Sequence, residues 1–363
     1  MSNDPSTSST LEDDQDTINS TTITPSSTTT TSVSASASSH NSSLSKSQSA
    51  IQSLSTILPS LPPSLFSSSN PARSLLHDHH TASHISSLLR QPDSGAGHNN
   101  LCRWLYDTFQ SSDPDLQLLV LRFLPLIAGI YISRVALRVP LAGFEAVLLA
   151  LYAHETATRS GHSITVSVPD LSHPSLYHES KAPAKNNSTG LNLAVISPSL
   201  EPYGTVRSTR RARIVGVALE LYYSKIHEMP VLSKIEFCQF CKLWAGQDGE
   251  MYKDMTGSSC SNRNECKEED GNGEKEGRVP LPWELMQPVL RILGHCLLCP
   301  NQNKELVDKG SEACRSLYAR SMHDINPNAI LATGSLLRLT KQTLDSKDDF
   351  DPTEIPKSRV ISI

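Results

Sequence analysis

The stretch from Asp115 to Leu137 constrains this chain more than any other. Ser112-Asp113-Pro114 offers a cap and a first-turn proline for a helix. Beyond that start the chain is apolar on nearly every side apart from Asp115, Gln117 and its arginines. A helix without a polar face must be covered all round. A bilayer would cover it, but the longest apolar run, Phe123 to Ile132, has ten residues bracketed by Arg122 and Arg134. A membrane span needs roughly 20. The helix therefore belongs inside a body of other helices, with Pro125 expected to kink it.

Apolar residues at helical spacing supply those neighbours. Leu75, Leu76, Ile85, Leu88 and Leu89 form one stripe, and Leu101, Trp104, Leu105 and Phe109 another. Phe144, Val147, Leu148, Leu151 and Tyr152 come after Pro140, and Ile214, Val217, Ala218, Leu221 and Tyr222 mark a helix over about 208–228. Further helices are expected over 231–245, 281–299, 302–321 and 327–344. Only Ile164-Thr165-Val166-Ser167-Val168 alternates with the period of a strand. The fold class is thus all-α: an irregular multi-helix domain with one small strand or hairpin element, flanked by disordered segments.

Composition sets the expected boundaries. Residues 1–70 hold 35 Ser or Thr and one aromatic, Phe66, and are read as a disordered Ser/Thr-rich extension dispensable for folding. The helical domain is placed at 71–344. Within it, loops are expected at about 180–205, rich in Pro, Asn, Ser and Gly, and at 246–279, with nine acidic and five basic side chains. Residues 345–363 read as a polar tail. The formal charge of −5 argues against nucleic acid as a partner. No secretory signal or lipidation motif is visible, so the cysteines are expected reduced in the cytosol.

Candidate chemistry is sparse. Cys238/Cys241 and Cys296/Cys299 are two Cys-x-x-Cys pairs, which invites a four-thiolate zinc site. The 54 residues between Cys241 and Cys296, against roughly 15–20 in zinc ribbons, and the apolar helical runs around both pairs favour buried core thiols instead. His77-Asp78-His79-His80 with His84 lacks a further ligand at metal spacing and reads as a solvated helix start. No phosphate loop, serine elbow, kinase set or paired-carboxylate pattern occurs, so neither an enzyme nor a cofactor is expected. Arg207, Arg210, Arg211 and Arg213 form a basic cluster. It is a candidate contact for anionic lipid, weighed against a polar first turn that faces solvent or pairs with the 246–279 loop.

Three stretches together resemble the hyccin family in the form found in plants. The first runs from Leu121-Arg-Phe-Leu-Pro-Leu through Glu145-Ala-Val-Leu-Leu-Ala-Leu-Tyr152 into Val168-Pro-Asp-Leu-Ser-His-Pro-Ser-Leu-Tyr-His-Glu179. The second is Leu219-Glu-Leu-Tyr-Tyr-Ser-Lys-Ile-His-Glu-Met-Pro230, and the third spans Ala313 to Tyr318 and Ile330 to Leu339. The resemblance implies a non-catalytic subunit of the complex that carries phosphatidylinositol 4-kinase alpha at the plasma membrane. It would clamp onto a tetratricopeptide-type helical scaffold held at the bilayer by a membrane-anchored protein. It would support phosphatidylinositol 4-phosphate production and reside in the cytosol and, through partners, peripherally at the plasma membrane. The competing reading is a zinc-stabilised intracellular adaptor that uses the two cysteine pairs. In the run Val168–Glu179, Pro169 and Pro174 stiffen the backbone, and Tyr177 with His178 are candidate partner-binding residues.

Overall fold

The structure, a computed structural model, describes residues 33–135, 137–169, 191–201, 210–252, 279–299 and 303–345. Among these residues lie twelve α-helices and one two-stranded sheet. In chain order the helices are α1 (Val33–Ile57), α2 (Pro71–His77), α3 (His79–Arg90), α4 (Asn100–Gln110), α5 (Pro114–Arg122) and α6 (Leu124–Val135). Then come α7 (Ala142–Arg159), the strands β1 (Ile164–Pro169) and β2 (Leu191–Ser197), and α8 (Arg211–Ser224). The last four are α9 (Val231–Ala245), α10 (Trp283–Leu298), α11 (Lys304–His323) and α12 (Pro327–Asp345). The chain is all-α with one small antiparallel hairpin, as its patterning predicts.

The apolar stretch does sit at the centre, but as two helices. α5 starts on the Asp113 cap, whose carboxylate accepts the Asp115 and Leu116 amides, each at 3.1 Å. It stops at Phe123, whose amide turns back to the Val120 carbonyl at 3.0 Å, and α6 leaves at 44° to it. Pro125 falls in the first turn of α6, where a missing amide hydrogen is tolerated. The kink becomes a break because a new helix can begin there. α6 packs against α3, α5, α7, α8 and α9, which gives its apolar circumference the cover it requires. Among the described residues no single helix is long and apolar enough to cross a membrane.

Two expected disordered regions need correction. The N-terminal extension does not remain outside the fold up to residue 70. Ile51, Leu54, Leu58 and Leu65 are buried in the main core, as are Ala72 and Leu75 beyond them. A 70-residue average hides three apolar residues at helical spacing, and these suffice to seat one face of a serine-rich helix. The expected loop over 180–205 contains β2, which pairs with β1 from Pro169↔Leu191 to Ile164↔Ser197, with an irregularity between Ile164 and Thr165. Leu191, Leu193 and Val195 alternate with Asn192 and Ala194 there, a strand signal drowned by the turn formers on either side. In the expected loop over 246–279, residues 253–278 lie outside the described residues. Both its ends belong to the body, since Val279 is buried and the Tyr252 ring meets Tyr318 edge-on at 4.9 Å.

Arginine side chains from other helices add donors at three helix ends, beyond the local backbone caps. Arg122 donates to the carbonyls of Leu75, Leu76 and Asp78 at the end of α2. Arg134 does the same for Arg90, Gln91 and Pro92 beyond α3, and also reaches Ser94. Arg320 on α11 donates to Trp244 and Ala245 at the end of α9 and to Val279. Helix C-termini leave carbonyls without partners and carry partial negative charge, so a guanidinium placed there answers both needs.

Candidate functional site

The end of α7, the base of the hairpin and α8 meet at one corner of the body. α7 ends on Ser160 and Gly161, both with positive φ (50° and 76°). Gly161 is required there: its carbonyl accepts the Leu200 amide at 2.7 Å, and a Cβ would lie 2.8 Å from the Leu200 carbonyl oxygen. The return strand is thereby tied to the end of α7.

A buried polar cluster holds the same corner. Arg159 in the last turn of α7 donates to Ser197 Oγ at 2.8 Å, to the His162 carbonyl and to the Pro198 carbonyl. Its guanidinium lies 3.8 Å from Glu155 and 3.9 Å from Glu220, with both partners largely buried. Ser197 Oγ in turn donates to the Glu220 carboxylate on α8. Burial raises the Glu220 pKa, opposed by the Ser197 hydrogen bond and by the charges of Arg291 and Arg159. The cluster pins the hairpin base to two helices.

The described arginines of the basic cluster are individually paired. Arg210 meets Glu201 at 2.6 Å, Arg211 meets Glu145 at 3.9 Å, and Arg213 meets Glu284 at 2.9 Å. Hydrogen bonding to Glu284 is the leading cause of the raised Arg213 pKa. Tyr131 donates to the same Glu145 at 3.0 Å, and its hydroxyl pKa is raised first by burial and then by that carboxylate. The acids come from α7, α10 and the segment after β2, not from the 246–279 loop, so these charges join elements of the chain's own body. Arg207 lies outside the described residues.

Of the proline-stiffened strap, Pro169 is the last residue of β1 and pairs with Leu191. Pro174, Tyr177 and His178 lie outside the described residues. The hairpin nonetheless presents apolar surface: Val195 is 56% exposed, and Ile164 is exposed beside it in the sheet.

The cysteine pairs lie on α9 and at the end of α10. Cys238, Cys241 and Cys296 are buried, joined by Cys314 of α11, whereas Cys299 is exposed. A hydrogen bond with Cys296, and then burial, raises the Cys238 pKa, burial raises that of Cys241, and Cys314 is pushed up to about 12. Thiols that keep their proton are poor nucleophiles. Among the described residues no group of three or more His, Cys, Asp or Glu side chains is arranged to hold a metal ion. The His77–His80 run proves to be a helix junction, where Asp78 caps α3 by accepting the His80 and Thr81 amides.

The expected helices over 302–321 and 327–344 leave a break where the structure has the turn between α11 and α12, but sequence reasoning missed the apolar residues exposed around it. Met322, Ile325 and Leu331 are exposed there, Ile325 at 82% and with φ of 51°, an unusual region for a β-branched side chain. Single apolar residues in a polar stretch carry no periodic signal, so nothing in the pattern marks them. A comparison with protein families finds that the model described as Hyccin matches residues 66–359.

Proposed function

The chain belongs to the hyccin family, and on that premise we propose that it is a non-catalytic regulatory subunit of a phosphatidylinositol 4-kinase alpha complex. In this reading it supports assembly of the complex and its recruitment to the plasma membrane, and so phosphatidylinositol 4-phosphate production. It contacts a tetratricopeptide-type helical scaffold, and a membrane-anchoring subunit holds that scaffold at the bilayer. The chain itself is cytosolic and peripheral at the membrane through these partners.

The carrying observation is the family match over most of the chain. The helical body supports it, because helix-on-helix association with a solenoid needs apolar anchors ringed by polar groups and no cofactor. The internal pairing of Arg210, Arg211 and Arg213 favours recruitment through partners over direct lipid contact. Affinity capture of the full-length chain and mass spectrometry of the captured proteins test the reading. Co-purification of a lipid kinase with a helical-repeat scaffold is expected, and capture of neither under conditions that preserve the folded chain would contradict it.

A further inference from the structure

The residues before position 66 precede the stretch matched to the family, yet the second half of α1 is built into the core. Its hold is thin. Ser47, Ile51, Leu54 and Leu58 form the buried stripe, while Ser45, Lys46, Gln48, Ser49, Gln52 and Ser53 are exposed. Serine is an indifferent helix former, so packing and a few polar clamps must hold this helix in place. Three clamps run along it. The Trp104 indole donates to the Ala50 carbonyl at 2.9 Å, Lys46 Nζ donates to the Ser111 carbonyl at 3.0 Å, and Ser43 Oγ donates to the Asp113 carboxylate. A groove of about 650 Å³, lined by Arg103, Trp104 and Asp107, runs between α1 and α4.

The Ser43 clamp is chemically unlike the other two. Asp113 is 3% exposed and caps α5 through the Asp115 and Leu116 amides, so it cannot swing away without uncapping that helix. We propose that a phosphoryl group on Ser43 detaches α1 from the body, making Ser43 a modification site that controls this helix. In the step, Ser43 Oγ attacks the γ-phosphorus of ATP on a protein kinase. The new O–P bond forms, the bond to the β-phosphate oxygen breaks, ADP leaves with that electron pair, and the hydroxyl proton passes to the kinase's base. Asp113 thereby loses its donor and faces a group carrying about −1.5 to −2 charge. Among the described residues Lys46, three positions along α1, is a cation close to Ser43 in sequence. Its ammonium already donates to the Ser111 carbonyl, so a phosphate on Ser43 competes with that second clamp for the same cation. A thinly held serine-rich helix opens locally often enough to present Ser43 to a kinase.

The test uses the full-length chain with phosphoserine inserted at position 43 during translation. Controls are the unmodified chain and phosphoserine at position 53, where the serine is exposed and its Oγ donates to the Ser49 carbonyl of the same helix at 3.0 Å. Hydrogen exchange over residues 46–58 is expected to accelerate about 10-fold or more with phosphoserine 43, while α8 to α11 stay unchanged. Emission from Trp104 should shift to the red as its cover leaves. Asp113→Asn, which keeps a capping side chain, should restore slow exchange in the phosphorylated chain. Unchanged or slower exchange, equal loosening by phosphoserine 53, or no rescue by Asp113→Asn would each overturn the proposal.

Discussion

Replacing Arg320 tests the claim that buried guanidinium groups hold this helical body together. At the end of α9 the Gly246 amide turns back to the carbonyls of Lys242 and Leu243, at 3.3 and 3.1 Å. The next two carbonyls, Trp244 and Ala245, have no further amide in the helix to accept from. Arg320 Nη1 reaches Ala245 at 3.1 Å and Trp244 at 3.5 Å, and Nη2 reaches Val279 at 3.1 Å. Trp244, Ala245 and Val279 are all buried, so water cannot readily replace the lost donors. A buried acceptor left without a partner costs about 1–3 kcal/mol. Arg320→Met keeps the apolar stem and removes the fork, so a loss of about 3 kcal/mol or more is expected, against a typical total of about 5–15 kcal/mol. The partly exposed ion pair with Asp324 adds little to that figure. Arg320→Lys should recover only about 0.3–1 kcal/mol, the value of a charge near a helix C-terminus, because one ammonium cannot span three carbonyls. Urea unfolding monitored by tryptophan fluorescence measures both variants. If Arg320→Met unfolds within about 1 kcal/mol of the parent, or Lys serves as well as Arg, the capping argument fails.

The packing leads to three further expected outcomes. Leu54→Ala should lower stability by about 2–5 kcal/mol, as buried Leu truncations do, and a change below about 0.5 kcal/mol would return the whole N-terminal region to the status of a dispensable extension. Cys241→Ala should cost on the order of 1 kcal/mol, and chelators should leave the melting temperature unchanged. Zinc bound stoichiometrically and lost together with structure would instead favour the adaptor reading. Because the Glu220 pKa is raised in the folded state, its contribution to stability is fully present below its ordinary value of 4.5 and is lost as pH rises through the folded value. Urea midpoints measured across that window should show this slope in the parent and not in Glu220→Gln, and an unaltered slope in the variant would assign it to another group.

What the sequence showed was whatever repeats. The stripes of α4, α7 and α8 and the all-round apolar character of α5 and α6 are periodic, so the helices and their central position were legible. Composition misled where a few residues do the work. Ile51, Leu54 and Leu58 are a small minority in a serine tract, and Leu191 to Val195 alternate for only five residues between turn formers. The arginine pairings were invisible for a different reason. Arg320 and Ala245 are 75 positions apart, and Arg213 and Glu284 are 71 apart. Such contacts depend on how helices cross, and no local pattern encodes that. The cysteine pairs are an intermediate case: the two-residue gap within each pair suggested a metal, while the 54 residues between the pairs and the apolar helical runs around them suggested burial, which holds for Cys238, Cys241 and Cys296 and not for Cys299. Exposed Ile325 had no signal at all, because its interest lies in a backbone angle and in the absence of cover.

The most direct measurement of the central claim is the mass of what forms when the purified full-length chain is mixed with phosphatidylinositol 4-kinase alpha and its helical-repeat scaffold. Mass photometry at nanomolar concentration reads it without labels. One species that contains all three proteins is expected, together with loss of free chain in proportion to added scaffold. A kinase–scaffold species of unchanged mass, with the folded chain left free at every ratio, would contradict it.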